Sequence, residues 1–465
     1  MVLVIAGDRS GSGKTTVTLA LLAALCRRGV SVQSFKVGPD YIDPMFHQAV
    51  TGRPSRNLDP ILTSEAYVGD CFLRHAPTAE YALVEGVMGL FDGASGTDDV
   101  ASTAHIARLL DLPVLLVLDC SRLSRSIAAI AHGYRSFDPR VKIVGVVLNR
   151  VGSDRHLELL KDALESINLP VLGVLRRQDN ITIPDRHLGL VPTDELDRLP
   201  PILDRLADLG NTCFDWENLL PLLKTIETFP KSDSEPRTSH STTRIAIARD
   251  RAFSFYYADN LDILQQFGAQ LVPWSPMADF QLPENVSGLY LGGGFPEVFA
   301  EELSTNLKMR EAVKAAVKLG MPTYAECGGL MYLSRDLIDF EGQSRSMVGI
   351  LPTTAVMGNK LTLGYRQALA LQDSSLIRAD TQVWGHEFHR SSLQNLPKNP
   401  LFQLQGFSPS YLPTAEGWKR HQLHASYLHL HWGATPDLPQ RFLQHCDRFS
   451  TSRTPTSSRS RGSES

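Results

Sequence analysis

Two stretches of this chain carry residues that do chemistry in combination. The first, "GDRSGSGKTT", starts at Gly7 directly behind the apolar run "VLVIA" and leads into the helix-like "VTLALLAALCRRG". A strand, a glycine turn and a helix in that order surround phosphate oxygens with backbone N–H groups, and the helix N-terminus favours their charge. Gly11, Ser12, Gly13, Lys14, Thr15 and Thr16 are the expected ATP-binding residues, with Lys14 neutralising phosphate and Thr15 available to ligate Mg²⁺. The second stretch, "MPTYAECGGLMYL", sets Cys327 between a short strand and a helix start, an elbow that exposes a sulfur and favours its thiolate.

Each stretch needs partners. Mg²⁺ held with a triphosphate recruits one or two carboxylates, and ligands of open α/β sheets gather beyond the strand ends. "FKVGPDYIDP" and "YALVEGVMGLFDG" place Asp40, Asp43 and Glu85 there. Thr15, Asp40 and Glu85 are the expected metal ligands, and Asp43 the expected substrate-positioning acid. Asp92 reads as a loop cap and Asp119 as structural, while "VLNRV" around Asn149 resembles the adenine-reading strand of related ATPases. Arg9, Lys36, Arg53 and Arg56 lie in the same loops and could meet an anionic substrate.

For the thiol, "LYLGGGFPE" supplies glycines whose N–H groups can meet an oxyanion. Gly293, Gly294 and Gly328 are the expected donors. A base is offered by "HQLHASYLHLHW", with His421, His424, His429 and His431; on a strand, His429 and His431 share one face, so spacing leaves the choice open. "GHEFHRS" lacks the H-E-x-x-H spacing of a zinc site and receives no chemical role.

The elements that must hold these residues are legible as runs. "VLVIA", "SVQSFKV", "YALVEGV", "PVLLVLD", "VKIVGVVLNRV" and "PVLGVL" are continuous apolar strands separated by amphipathic segments, as a doubly wound parallel sheet covered on both faces requires. The pattern restarts with "RIAIARD", "AQLVPWSP", "GLYLGGG" and "PTYAEC", then "SYLHLHW", giving a second α/β unit. Boundaries follow at 1–224, a polar linker at 225–243, a second domain at 244–449 and a disordered tail at 450–465.

With 465 residues, 43% apolar, the chain has room for two cores. Its net charge of -4 argues against nucleic acid as a partner, since phosphate backbones demand clustered Lys and Arg. No apolar run reaches the roughly 20 residues that span a bilayer. Six dispersed cysteines without a CxxC pair indicate neither zinc nor disulfides, which places the protein in reducing cytoplasm.

Resemblances sharpen the reading. The usual G-x-x-x-x-G-K-[ST] loop would begin at position 8, which is Asp8; Gly7, one residue earlier, resembles the variant loop of dethiobiotin synthetase-like enzymes. "GGGFPE", "YAECGGL" and "SYLHLHW" resemble the class I (triad-type) glutamine amidotransferase domain. That likeness implies attack of the Cys327 thiolate on glutamine, a γ-glutamyl thioester and released ammonia. Alignment with its histidine motif selects His429 as base. Many relatives carry Glu two residues after that histidine; here the position is His431.

"SGSGKTT", "KVGPDYIDP", "NLDP", "VEGVMGLFDG", "GGGFPE", "YAECGGL", "GHEFHRS" and "ASYLHLHW" together resemble the cobyrinate a,c-diamide synthase family over nearly the whole chain. The resemblance implies a carbon–nitrogen ligase of cobalamin biosynthesis that amidates the a and c acetates of cobyrinic acid with ATP, Mg²⁺ and glutamine, through carboxyl phosphates. A homodimer is left open. Three alternatives stand beside it: a nickel-sirohydrochlorin a,c-diamide synthase, a cobyric acid synthase, and a P-loop partitioning-type ATPase.

Overall fold

The computed structural model describes residues 2–177, 181, 184–186, 189–196, 199–225, 243–407 and 412–453. The chain divides into two compact units, one of Met1–Ser234 with Tyr257–Asp259 and Gly406–Tyr411, the other of Glu235–Tyr256, Asn260–Gln405 and Leu412–Ser465. The division falls within the stretch 225–243 expected as a linker, of which Thr225 and Thr243 are described.

The first unit is built on seven parallel strands: β1 (Leu3–Gly7), β2 (Val32–Val37), β3 (Arg56–Leu58), β4 (Tyr81–Glu85), β5 (Val114–Asp119), β6 (Ile143–Val151) and β7 (Val171–Arg176). Their order is β3-β2-β4-β1-β5-β6-β7. Every residue of β1, β2 and β5 is buried, which is why β1 and β5 read as near-continuous apolar runs and not as alternating ones, while β2 buries the polar Gln33, Ser34 and Lys36 as well. Helix α1 (Lys14–Arg27) leads from β1 toward β2 on one side, and the chain crosses from β4 to β5 on the other. The carboxyl ends of β1, β2 and β4 therefore meet at the point where the winding reverses, and Gly7, Lys36 and Glu85 stand at or beside those ends.

The second unit holds two sheets. In one, Gln270–Trp274, Arg244–Ala248, Gly288–Leu291, Thr323–Glu326 and Leu423–Ser426 lie parallel in that order, and Trp418–Arg420 closes the edge antiparallel. The other is dominated by a long hairpin, Leu351–Ala370 against Gln382–Leu393. That hairpin escaped the sequence reading because its residues alternate buried and exposed only in patches, so neither a continuous run nor a clean period of two marks it.

Two expectations are corrected. "SYLHLHW" is not a strand: the strand ends at Ser426, and His429 and His431 lie in the segment that follows. Apolar Tyr427, Leu428 and Leu430 are buried by core packing there, which imitates a strand pattern. The tail also starts later than Ser450, because helix Asp437–Arg453 runs four residues further. Hydroxyls of Thr451 and Ser452 bond back to the carbonyls of Arg448 and Phe449, so polar composition did not stop the helix. The remainder, 454–465, lies outside the described residues.

Candidate active site

The turn after β1 is shaped by its glycines. Gly11 and Gly13 have φ of 76° and 100°, a left-handed region that other residues enter at a cost. Gly7 explains itself: a Cβ there would come within 2.2 Å of Ser12 Oγ, so the shifted glycine is the one the loop's return path requires. Asn149, on the strand that resembles the adenine-reading one, bonds to the loop. Its amide donates to the Ser12 carbonyl at 2.8 Å, and its oxygen accepts from the Arg150 N–H at 2.9 Å.

Lys14 is buried and its ammonium donates to the carbonyls of Arg9 and Met88. Burial and then the neighbouring Lys36 push its pKa down. Thr15 Oγ1 donates to Glu85 Oε1 at 2.7 Å and faces Asp43 Oδ2 at 3.4 Å. Lys36 Nζ joins the same group, 2.7 Å from Asp43, 3.3 Å from Glu85 and 3.9 Å from Asp40. Burial opposes the charge on Lys36, yet Asp43 and Glu85 outweigh it and hold the ammonium protonated well above its ordinary range. Glu85 is likewise kept ionised: burial works against it, but Lys36, His47 and Thr15 prevail. Asp43, pressed by burial and by Asp40, goes the other way and is raised.

These positions redistribute the expected roles. Asp43, anticipated as a substrate-positioning acid, is the carboxylate that stands with Thr15 and Glu85. Asp40, anticipated on the metal, lends Oδ1 to the N–H groups of Ile42 and Asp43 at the start of helix α2 (Ile42–Thr51). His47 was missed: its Nε2 lies 2.6 Å from Glu85 Oε2, and Nδ1 lies 3.2 Å from Ser55 Oγ. Its spacing of four from Asp43 on α2 is the available signal, since such pairs share a helix face. Of the basic residues set aside for an anion, Arg9 pairs with Asp8 and Asp119, Lys36 with the carboxylates, and Arg53 with Gln33 and Thr78. Asp92 caps its loop through the Gly89 N–H.

In the second unit, Cys327 ends the strand Thr323–Glu326 and begins the helix Gly328–Leu333. Its φ is 45°, a strained value for a residue with a side chain, held by a bond from its N–H to the Ser426 carbonyl at 2.8 Å. Burial drives the thiol pKa up, and the Gly328 N–H at the sulfur works in the opposite sense. The three expected oxyanion glycines prove to have different reasons for being glycine. Gly294 has φ of 153°, and a Cβ on it would strike the Ala252 carbonyl at 2.1 Å. Gly328 lies against Gly294: a Cβ on Gly328 would be 3.0 Å from the Gly294 nitrogen. Gly293 makes room for the His429 ring, because a Cβ there would sit 2.6 Å from His429 Cε1.

His429 follows the neighbouring parallel strand, so the sheet register brings it and Cys327 to the same carboxyl edge. Its backbone exchanges two hydrogen bonds with His386, at 2.9 and 3.0 Å. Gly385 permits that approach: a Cβ would meet Leu428 Cγ at 2.4 Å. The "GHEFHRS" stretch thus clamps the segment that carries His429, a contact that sequence spacing could not disclose. Beside it His389 stacks on Tyr427 at 4.0 Å, and Glu387 pairs with Arg366 at 2.6 Å. Burial lowers the His429 pKa to about 3, so the resting imidazole is neutral. Among the described residues no helix is long and apolar enough to cross a membrane.

A phosphate-binding turn beside a buried acid–lysine cluster, and a thiol elbow beside a histidine, define a nucleotide-using glutamine amidotransferase. The comparisons agree with both halves. Residues 3–191 match the CobQ/CobB/MinD/ParA nucleotide binding domain and residues 244–436 the CobB/CobQ-like glutamine amidotransferase domain. A Synechococcus protein described as cobyrinate a,c-diamide synthase is 63% identical, covering 96% of this chain and 99% of its own. A Synechocystis relative of the same description is 54% identical over 97% of this chain and 94% of its own. A Streptomyces coelicolor protein described as hydrogenobyrinate a,c-diamide synthase is 42% identical over 96% and 97%. The chain belongs to the cobyrinate a,c-diamide synthase family.

Proposed function

We propose that the protein amidates the a and c acetate carboxylates of cobyrinic acid, using ATP and glutamine, in the cytoplasm. Residues 1–224 would carry the synthetase chemistry and 244–449 the glutaminase. The observation that carries the reading is the convergence of Thr15, Lys36, Asp43 and Glu85 beside the phosphate turn, in a chain that also builds the Cys327 elbow. Free thiols at all six cysteines support a reducing compartment.

At the first site, Lys14 and the turn's N–H groups would hold the triphosphate, and the γ-phosphoryl group would pass to a substrate carboxylate oxygen, leaving ADP. Ammonia would then attack the acyl carbon and expel phosphate. The oxygen donors Thr15, Asp43 and Glu85 fit Mg²⁺, a hard cation that takes carboxylates and keeps waters. Bound there, it would supply charge neutralisation to the phosphates. Lys36 would balance the carboxylates and orient them.

At the second site, His429 would take the Cys327 proton as sulfur attacks the glutamine amide carbon, with the N–H groups of Gly294 and Gly328 facing the oxyanion. Collapse breaks the C–N bond as His429 returns the proton to nitrogen, and water releases glutamate from the thioester. A neutral thiol and neutral imidazole at rest support transfer of the proton only when substrate is present.

The likeness to the Streptomyces protein favours hydrogenobyrinic acid as a second substrate. Incubation of each acid with ATP, Mg²⁺ and glutamine, followed by mass analysis, tests both readings. The expected product is lighter by about one mass unit for each carboxyl turned to amide, two in all. Failure to amidate either acid overturns the proposal.

A further inference from the structure

Position 431, where many amidotransferases carry the carboxylate that supports the base, is a histidine whose Nδ1 accepts the Gly433 N–H at 3.2 Å. A carboxylate nonetheless reaches the base from elsewhere. Glu326, the last residue of the strand that delivers the nucleophile, is 1% exposed and points Oε2 at His429 Nδ1 over 3.9 Å. We propose that Glu326 is the positioning residue of the glutaminase: it holds the His429 segment and balances the imidazolium that forms when His429 takes the thiol proton. The proposal rests on the glutaminase reading above.

Three donors fix this carboxylate. Tyr324 O–H donates to Oε1, the Leu430 N–H donates to Oε1 at 3.0 Å, and Tyr290 O–H donates to Oε2 at 3.2 Å. Leu430 is the residue after His429, so one side chain grips the backbone of the base's segment and faces its ring. The strand register makes this possible, since Glu326 pairs with Ser426, three residues before His429. Tyr256, Tyr290, Tyr324 and Cys327 surround Glu326, His386 and His389 adjoin the imidazole, and the carboxylates of Glu297 and Glu387 act on the Cys327 thiol.

The energetics run in the same direction. Burial raises Glu326 to about 7 and lowers His429 to about 3, so each charge alone is penalised. Formed together, as carboxylate and imidazolium, the charges offset one another's desolvation. The competent resting form is ionised Glu326 with neutral His429, and Glu326 takes up its proton as pH falls through about 7.

The test is steady-state glutamine hydrolysis by the full chain carrying Glu326→Gln, Glu326→Asp or His431→Gln, with ammonia-dependent amidation measured on the same preparations. Glu326→Gln is expected to lower kcat about 10²- to 10³-fold, with the glutamine KM within about threefold and the ammonia-dependent rate within about twofold. Its acid limb in kcat/KM should move at least one pH unit downward, because His429 alone titrates lower. Glu326→Asp, keeping charge at shorter reach, should recover about tenfold of the loss, and His431→Gln should stay within about threefold of wild type. A kcat within threefold in Glu326→Gln, an unmoved acid limb, or an equal loss in His431→Gln overturns the proposal. Should Glu326→Gln lose ammonia-dependent synthesis too, Glu326→Asp decides: partial glutamine hydrolysis with the acid limb kept near the wild-type position supports the proposal, and hydrolysis no faster than in Glu326→Gln, with ammonia-dependent synthesis intact, overturns it. Undiminished hydrolysis in Cys327→Ser would instead sink the glutaminase reading itself.

Discussion

At the phosphate turn, Lys36 stands among Asp43, Glu85 and Asp40 with almost no solvent, and Lys14 lies close by. At the thiol elbow, burial keeps Cys327, His429 and much of Glu326 uncharged. Both places are dry, yet one stores charge and the other withholds it. The difference follows from the reactions. Phosphoryl transfer handles charge that is present before the substrate arrives, so fixed countercharges can be built in. Amide cleavage by a thiol creates its charge during reaction, and a permanent thiolate in an unpaired dry site would be costly.

The largest expected effects would break that division. Cys327→Ser should abolish glutamine-dependent synthesis, a loss of at least about 10⁴-fold, while free ammonia restores the rate to near wild type. Lys14→Ala should cut synthesis about 10³-fold with either nitrogen source and leave glutamine hydrolysis standing. Equal rescue of both by ammonia would show that the two sites do not divide the labour this way.

A smaller effect separates the acids of the charged site. Asp43→Asn should lower synthesis about 10²-fold and raise the Mg²⁺ concentration needed for half-maximal rate. Asp40→Asn should stay within about tenfold, because Asp40 serves the start of α2 and an amide oxygen can still accept those N–H groups. The reverse ranking would favour Asp40 as the metal ligand over Asp43.

The smallest effect concerns the neutral site's unit. His424 is fully buried, bonded through Nδ1 to Ser374 Oγ at 2.9 Å, and burial lowers its pKa to about 3. The unfolded chain takes that proton near pH 6.5. The stability His424 lends is therefore complete above pH 6.5 and is lost as pH falls toward 3. In His424→Phe the drop in unfolding free energy between pH 6.5 and 5 should be smaller by about 2 kcal/mol, read from denaturant melts at both pH values. An unchanged drop would mean that this histidine protonates in the folded state.

The chemistry-bearing motifs were legible because they are local. A strand, a glycine turn and Lys14-Thr15, or an elbow around Cys327, lie within a dozen residues each, and strands such as β1 and β5 announce themselves as apolar runs. The partners were not. His47 resembles any helical histidine until Glu85 is brought to it, and the bond from the Asn149 amide to the Ser12 carbonyl joins positions 137 residues apart. Residues 427–432 look like a strand because packing buries the same side chains a strand would bury.

By itself the sequence determined two α/β units, the phosphate turn with its lysine and threonine, the cysteine elbow, and the family to which these belong. Only the tertiary structure decided which carboxylate stands with Thr15, why Gly293 must be glycine, what "GHEFHRS" holds and which carboxylate lies near His429. The reason is physical. Spacing along a chain encodes what a strand or helix places within one turn, whereas register between distant strands, set by packing of the whole core, determines which charges share a dry pocket.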